Sequence, residues 1–257
     1  MKPRIRVVKP AASSSGLNEP AYEEITLAEQ AYRQLRRDII SGALPAGQAL
    51  RLEGLKERYG ISYSPLREAL NRLHSEQLVL SHTSRGFRVA PFSEDEMWDA
   101  VETRIIIDCE ALRRSLARGD GAWEARLVAA FHALKHAREQ RHDGPLDAAD
   151  AMQADDVLEM RHNAFHSGLI EACGSRSLLS LSAQFYAQTE RYRRPSLRDP
   201  RYANLQRDVP TEHSQILEAA LARDAQLACA LLARHYRETG RVIQQLLALD
   251  APEAKRR

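Results

Sequence analysis

Residues 61–89 read ISYSPLREALNRLHSEQLVLSHTSRGFRV. Ser64 suits a helix cap, and Pro65 suits the first helical position, where its missing N–H costs nothing. Leu66, Ala69, Leu70 and Leu73 then recur at helical spacing, so one stripe faces a core while Arg67, Asn71 and Arg72 take the other face. Beyond Gln77 the pattern changes to two short runs, Leu78–His82 and Phe87–Ala90, around a turn at Thr83–Gly86. A capped helix with basic residues near its start, followed by a basic hairpin, suits a helix lying in a DNA major groove with a wing beside it.

Upstream, Thr26 and Glu29 have capping-box spacing and open a helix with Ala28, Ala31, Leu35 and Ile39 on one face. It ends near Gly42, and a turn segment covers Ala43–Gly47. A second helix spans about Glu53–Tyr59 and stops at Gly60. Residues 1–24 lack periodicity and read as a disordered tail. The expected N-terminal unit is therefore a winged helix-turn-helix over residues 25–91, with three helices and a β-hairpin wing.

Composition agrees with a divided chain. Residues 1–91 hold 14 Lys and Arg against 9 Asp and Glu, whereas the rest holds 23 against 26. A basic front and a mildly acidic rear fit a nucleic-acid module joined to something else, although a solvated basic surface looks the same. The chain has 257 residues, ample for two domains. No apolar run approaches a membrane span and no secretory leader is visible. The three cysteines, Cys109, Cys173 and Cys229, form no close pair in sequence and read as reduced thiols, which places the protein in the cytoplasm.

From Ser93, capped with Glu96, only helices follow, over about 94–118, 122–142, 147–173, 176–194, 201–222 and 224–249. Breaks fall at Gly119–Gly121, Asp143–Pro145, Gly174, Pro195–Pro200 and Arg223–Asp224. An all-α antiparallel bundle over residues 93–249, with a polar tail at 250–257, is expected. His162 and His166 lie four apart on one helix, so their rings share a face, and His213 and His235 lie on later helices. Imidazoles on facing helices can share a divalent cation, zinc or nickel foremost. Spacing alone does not distinguish this pair from His132 and His136, which sit among Lys135, Arg138 and Arg141 and read as exposed.

The N-terminal stretch resembles the winged helix-turn-helix of GntR-type bacterial transcription regulators. Ser62, Pro65, Arg67, Glu68, Ala69, Leu70, Leu73, Leu78, Arg85, Gly86 and Val89 occupy that family's pattern. Tyr63 stands where the family usually carries a guanine-reading Arg, so the family's operator is not carried over. The rear half resembles the FCD effector domain of FadR-type members, through His162-Asn-Ala-Phe165-His166, Glu212-His213-Ser-Gln-Ile216, and Asp224 with Ala228 and His235. His162 replaces the family's acidic ligand, and Ser175 follows Gly174 where the family has Asn.

The resemblance implies a ligand-responsive repressor that binds palindromic double-stranded operator DNA as a homodimer, not an enzyme. It implies base reading by Arg67 with Tyr63 as substitute contact, and phosphate contact by Ser64 and Arg72 near Ser62. It puts Arg85 and Arg88 of the wing, beside Gly86, at the minor groove. It further implies a metal held by His162, His166, His213 and His235, with Arg104 clamping the carboxylate of a small organic acid. Arg191, Arg193 and Arg194 end a helix and read mainly as structural. The alternatives are a metal-dependent enzyme or a direct metal sensor built on the same His, or a metal-free acyl-binding domain.

Overall fold

The computed structural model describes residues 25–82, 86–142, 148–198 and 207–250. The expected tail at 1–24, the hairpin tip including Arg85, the break at 143–147 and, of the expected tail at 250–257, all but Asp250 lie outside the described residues; Asp250 is the last residue of a helix. The chain is mainly α, a winged helix-turn-helix followed by an all-helical domain.

In the front unit, α1 (Leu27–Ser41) starts where the Thr26 hydroxyl accepts the Glu29 N–H at 3.1 Å. It stops at Gly42, whose φ of 81° lies in the left-handed region that favours glycine. After β1 (Ala49–Leu50) come α2 (Leu52–Tyr59) and α3 (Tyr63–Ser75). The apolar stripe of α3, Leu66, Ala69, Leu70 and Leu73, is buried against Ala31, Leu35 and Ile39 of α1 and Leu55 of α2. β2 (Val79–His82) and β3 (Gly86–Val89) form the wing, with His82 opposite Gly86 and Val79 opposite Val89.

Two expectations change here. The cap of α3 is Ser62, in extended backbone and without a side-chain cap bond, so Ser64 and Pro65 both lie inside the first turn. The proline tolerates this because N–H groups throughout the first turn have no helical partner to lose. The sheet also has a third strand, β1, which pairs antiparallel with β3 (Ala49 opposite Arg88, Leu50 opposite Phe87), giving the order β1-β3-β2. Two residues are too few to show a period in sequence.

In the rear unit, α4 (Glu94–Arg118) is capped by Ser93, whose hydroxyl accepts the Glu96 N–H at 3.2 Å. It is the central helix, burying Met97, Val101, Arg104 and Asp108 on one face and Ile107 and Cys109 on its two flanks. Around it stand α5 (Gly121–His142), α6 (Ala148–Ile170) with a 3-10 turn at Glu171–Cys173, α7 (Arg176–Arg198), α8 (Val209–Leu221) and α9 (Ala225–Asp250). α7 and α9 both pack on α4, α5 packs on α6, and α8 packs on α9. Trp123 pins α5 to α6 by donating its indole N–H to the Gly168 carbonyl at 2.8 Å.

The expected break at Pro195 does not occur: α7 continues to Arg198. In the last turn a proline forfeits one backbone bond without having to end the helix. α8 begins at Val209, where the Asp208 carboxylate accepts the Thr211 N–H at 3.1 Å and Pro210 sits in the first turn; the expected helix start at 201 lies outside the described residues.

α1 also packs on α7, which joins the two units. Arg36 donates to Glu190 at 2.6 Å, and Arg191 donates to the main-chain oxygens of Gln77 at 3.3 Å and Pro91 at 3.0 Å. No helix among the described residues is long and apolar enough to cross a membrane.

Leu70 is wholly buried between α1 and α3. Leu70→Ala is expected to destabilise the front unit by about 2–5 kcal/mol in denaturant unfolding, the cost of a core cavity.

Candidate functional site

Two sites emerge, one on each unit. On the front unit, Ser62, Tyr63, Ser64 and Arg67 are all exposed at the start of α3. The Lys56 ammonium stands 5.2 Å from the centre of the Tyr63 ring. Arg67 has no ion-pair partner among the described residues. Arg88 is exposed on the wing and donates to the Gly47 carbonyl, and Gly86 has a φ of 73° that suits glycine. Arg72 is placed apart from this group. Five residues beyond Arg67 it points about 140° round the helix. There it pairs with Glu29 at 2.7 Å and stacks 3.6 Å over the Tyr32 ring.

On the rear unit, His162 and His166 of α6, His213 of α8 and His235 of α9 come together inside the bundle. One nitrogen from each lies within 4.8 Å of the others. His132 and His136 are exposed, as their basic neighbours suggest.

Three rings are held from behind. His235 Nδ1 lies 2.6 Å from the Glu212 carboxylate and 3.1 Å from the Arg207 guanidinium; the shorter contact, to a group that only accepts, places the proton on that nitrogen. Tyr186 donates its hydroxyl to Glu159, leaving its oxygen to accept from His162 Nδ1 at 3.1 Å. Tyr236 donates to Asp108 at 2.8 Å and faces His166 Nδ1 at 3.3 Å. This network assigns the outer proton to each ring and leaves Nε2 as a bare lone pair aimed inward. His162 Nε2 and His166 Nε2 consequently face each other at 3.1 Å. His213 Nε2 is buried with no hydrogen-bond partner among the described residues.

The electrostatics keep the rings neutral. Burial, then the Arg193 charge, holds His162 well below the ordinary imidazole range. Burial and the neighbouring His235 do the same for His166 and His213. Burial brings His235 down to about 4 even though Glu212 opposes it. Burial would raise Glu212, but hydrogen bonds from His235 and Arg207 outweigh it and hold the carboxyl at about 2. Four neutral, converging nitrogens with an anion behind one of them form a donor set that fits a divalent cation.

Arg104 is buried beside this cluster. It donates to Asp108 at 3.1 Å, Thr189 at 3.1 Å and Tyr236 at 3.0 Å. It is thus both internal and paired to Asp108. Arg193, read from sequence as structural, proves to be a second buried cation, paired with Glu159 and 3.2 Å from the Tyr186 hydroxyl. A cavity of about 20 Å³ opens between them, lined by Met97, Val101, Arg104, His162, Arg193 and His235 among others. Arg194 pairs with Asp156, and Arg191 reaches the front unit, so those two are structural.

Residues 27–89 match the family described as bacterial regulatory proteins, gntR family, and residues 99–238 match the FCD domain. The chain belongs to the GntR family, in the branch that carries an FCD domain, and is a transcriptional regulator rather than an enzyme. It is 39% identical over 220 residues to the HTH-type transcriptional regulator BphR of Paraburkholderia xenovorans (strain LB400), covering 86% of each chain. It is 34% identical over 219 residues to the HTH-type transcriptional repressor GlaR of Escherichia coli (strain K12), covering 84% of this chain and 96% of that one. The solved structure of E. coli McbR/YncC shares the fold, with a TM-score of 0.65 and 19% identity over 87% of this chain and 100% of that one.

Asp108 compensates the buried Arg104 and takes the Tyr236 hydroxyl. Asp108→Ala is expected to cost about 3–5 kcal/mol in unfolding experiments, because it strands a buried guanidinium.

Proposed function

We propose that this regulator is a repressor that binds a palindromic operator as a homodimer and responds to a small organic acid held beside a divalent metal ion, zinc or nickel foremost. The observation that carries the reading is the inward convergence of the bare Nε2 atoms, each of three rings being anchored through its other nitrogen. His162, His166, His213 and His235 hold the ion. When bound, the ion supplies a positive coordination point for an anionic effector. Arg104 faces the same cavity and grips the effector's carboxylate, and Arg193 keeps the cavity cationic. The repressor sense follows the likeness to the transcriptional repressor GlaR, and the cytoplasm is where such a regulator meets its DNA.

α7 supports the coupling. Its Thr189 and Arg193 border the cavity, while the adjacent Glu190 and Arg191 hold α1 and the loop before the wing. The cavity is little larger than one water molecule needs. Admitting an acid therefore means parting its walls, and α7 is one of them. The effector shifts the population of placements of the two DNA-binding units, and half-site spacing penalises all but one. The small cavity also favours the second reading, in which the ion itself is the effector.

Metal analysis of the purified chain, with operator mobility shifts under chelator, zinc, nickel and small di- or tricarboxylates, tests both. An acid response that chelator abolishes supports the first reading, and a response to metal without acid supports the second. A chain that ignores its operator under every condition refutes both.

Glu212→Gln is expected to weaken metal binding by about 10–100-fold in competition titrations, with the helical circular dichroism unchanged. Arg67→Ala is expected to cost about 1–3 kcal/mol of operator affinity and to relax sequence choice; equal loss on random DNA would reduce Arg67 to a phosphate contact.

A further inference from the structure

Two thiols meet in the rear unit, between α4 and α9. Cys109 of α4 and Cys229 of α9 are both buried, each keeping 6% of its surface exposed to solvent. Cys109 Sγ lies 3.5 Å from the main-chain oxygen of Cys229, and Cys229 Sγ lies 3.4 Å from that of Cys109. This reciprocal reach puts the two residues opposite each other where the helices cross. Cys173 stands elsewhere, with its sulfur 3.7 Å from the Ser175 carbonyl. A single buried cysteine is a small apolar filler. Two that face each other across separate helices have a further chemistry.

We propose that Cys109 and Cys229 form an oxidisable dithiol site, which a peroxide converts into an intrachain disulfide joining α4 to α9. The Cys229 thiolate attacks one oxygen of hydrogen peroxide. An S–O bond forms, the O–O bond breaks, and hydroxide leaves. The Cys109 sulfur then gives up its proton and attacks the sulfenic sulfur of Cys229; the S–S bond forms, the S–O bond breaks, and the oxygen leaves as water. The two thiols lose two electrons and two protons, and the peroxide becomes two waters.

The order follows from the surroundings. The neighbouring Cys109 thiol brings the Cys229 thiol down to about 7 against burial, and Arg113 adds to the effect. Cys109 moves upward, through its neighbour Cys229 and through burial. Cys229 is therefore the attacking thiolate and Cys109 the resolving thiol. The staple joins the helix of Arg104 to the helix of His235 and Tyr236, and so fixes two walls of the cavity.

The test treats the reduced full-length chain with hydrogen peroxide without denaturant, then maps peptides by mass without reduction. A Cys109–Cys229 link within one chain is expected, with Cys173 still alkylatable and dithiothreitol restoring both thiols. Cys109→Ser should leave a Cys229 sulfenic acid that dimedone traps, and Cys173→Ser should form the link as before. Oxidation of Cys173 while Cys109 and Cys229 stay free would overturn the proposal. So would a link only between chains, or sulfinic acid at Cys229 with no link.

Discussion

Arg104 is a guanidinium with almost no water around it, and the rear unit is arranged to make that tolerable. Asp108 stands one turn along the same helix, while Thr189 and Tyr236 reach in from α7 and α9. One side chain thus fixes three helices around a common point. A buried charge lacking partners would expel itself or unfold its surroundings, so these contacts are conditions of the fold as much as features of a site. Tyr236 passes the constraint on, because the hydroxyl that serves Arg104 and Asp108 also meets His166. Arg193 repeats the design with Glu159 and Tyr186, and Tyr186 in turn meets His162. Two cation–acid pairs therefore set the directions of two metal-ligand candidates.

Neutral imidazoles follow from the same crowding. Arg193 repels protonation of His162 and Arg104 that of His166, while burial removes the solvent that would stabilise either charge. Glu212 is the exception on the other side, an anion placed against His235 and anchored to Arg207 at 2.7 Å. His162 stands where the family resemblance leads one to expect an acid; the carboxylate that touches the cluster is Glu212, against His235.

Much of the architecture was legible because local rules and tertiary packing agree in this chain. Thr26 and Ser93 cap the helices expected of them, and Gly42 and Gly60 end theirs in left-handed backbone. The failures have physical causes. Ser62 and Ser64 are equally good cap residues by type, and only backbone geometry separates them. β1 exists because β3 offers it an edge, which no local pattern announces. The His cluster was readable through a family resemblance but not through spacing, since His132 and His136 share the spacing and lie outside. Arg193 looked like a cation neutralising a helix end; its true partner, Glu159, lies 34 residues away on another helix, a pairing that sequence order conceals. Glu212 was noticed as a motif residue, yet its contact with His235 depends on how α8 meets α9.

Consecutive residues of α7 serve opposite masters: Thr189 and Arg193 border the cavity, Glu190 and Arg191 hold the front unit. Any exchange on this helix that retunes what enters the cavity also disturbs the joint. Met97, Val101 and Ile243 border the same space from α4 and α9 without that second duty. A change at one of those three positions reshapes the space while leaving the joint between the two units in place.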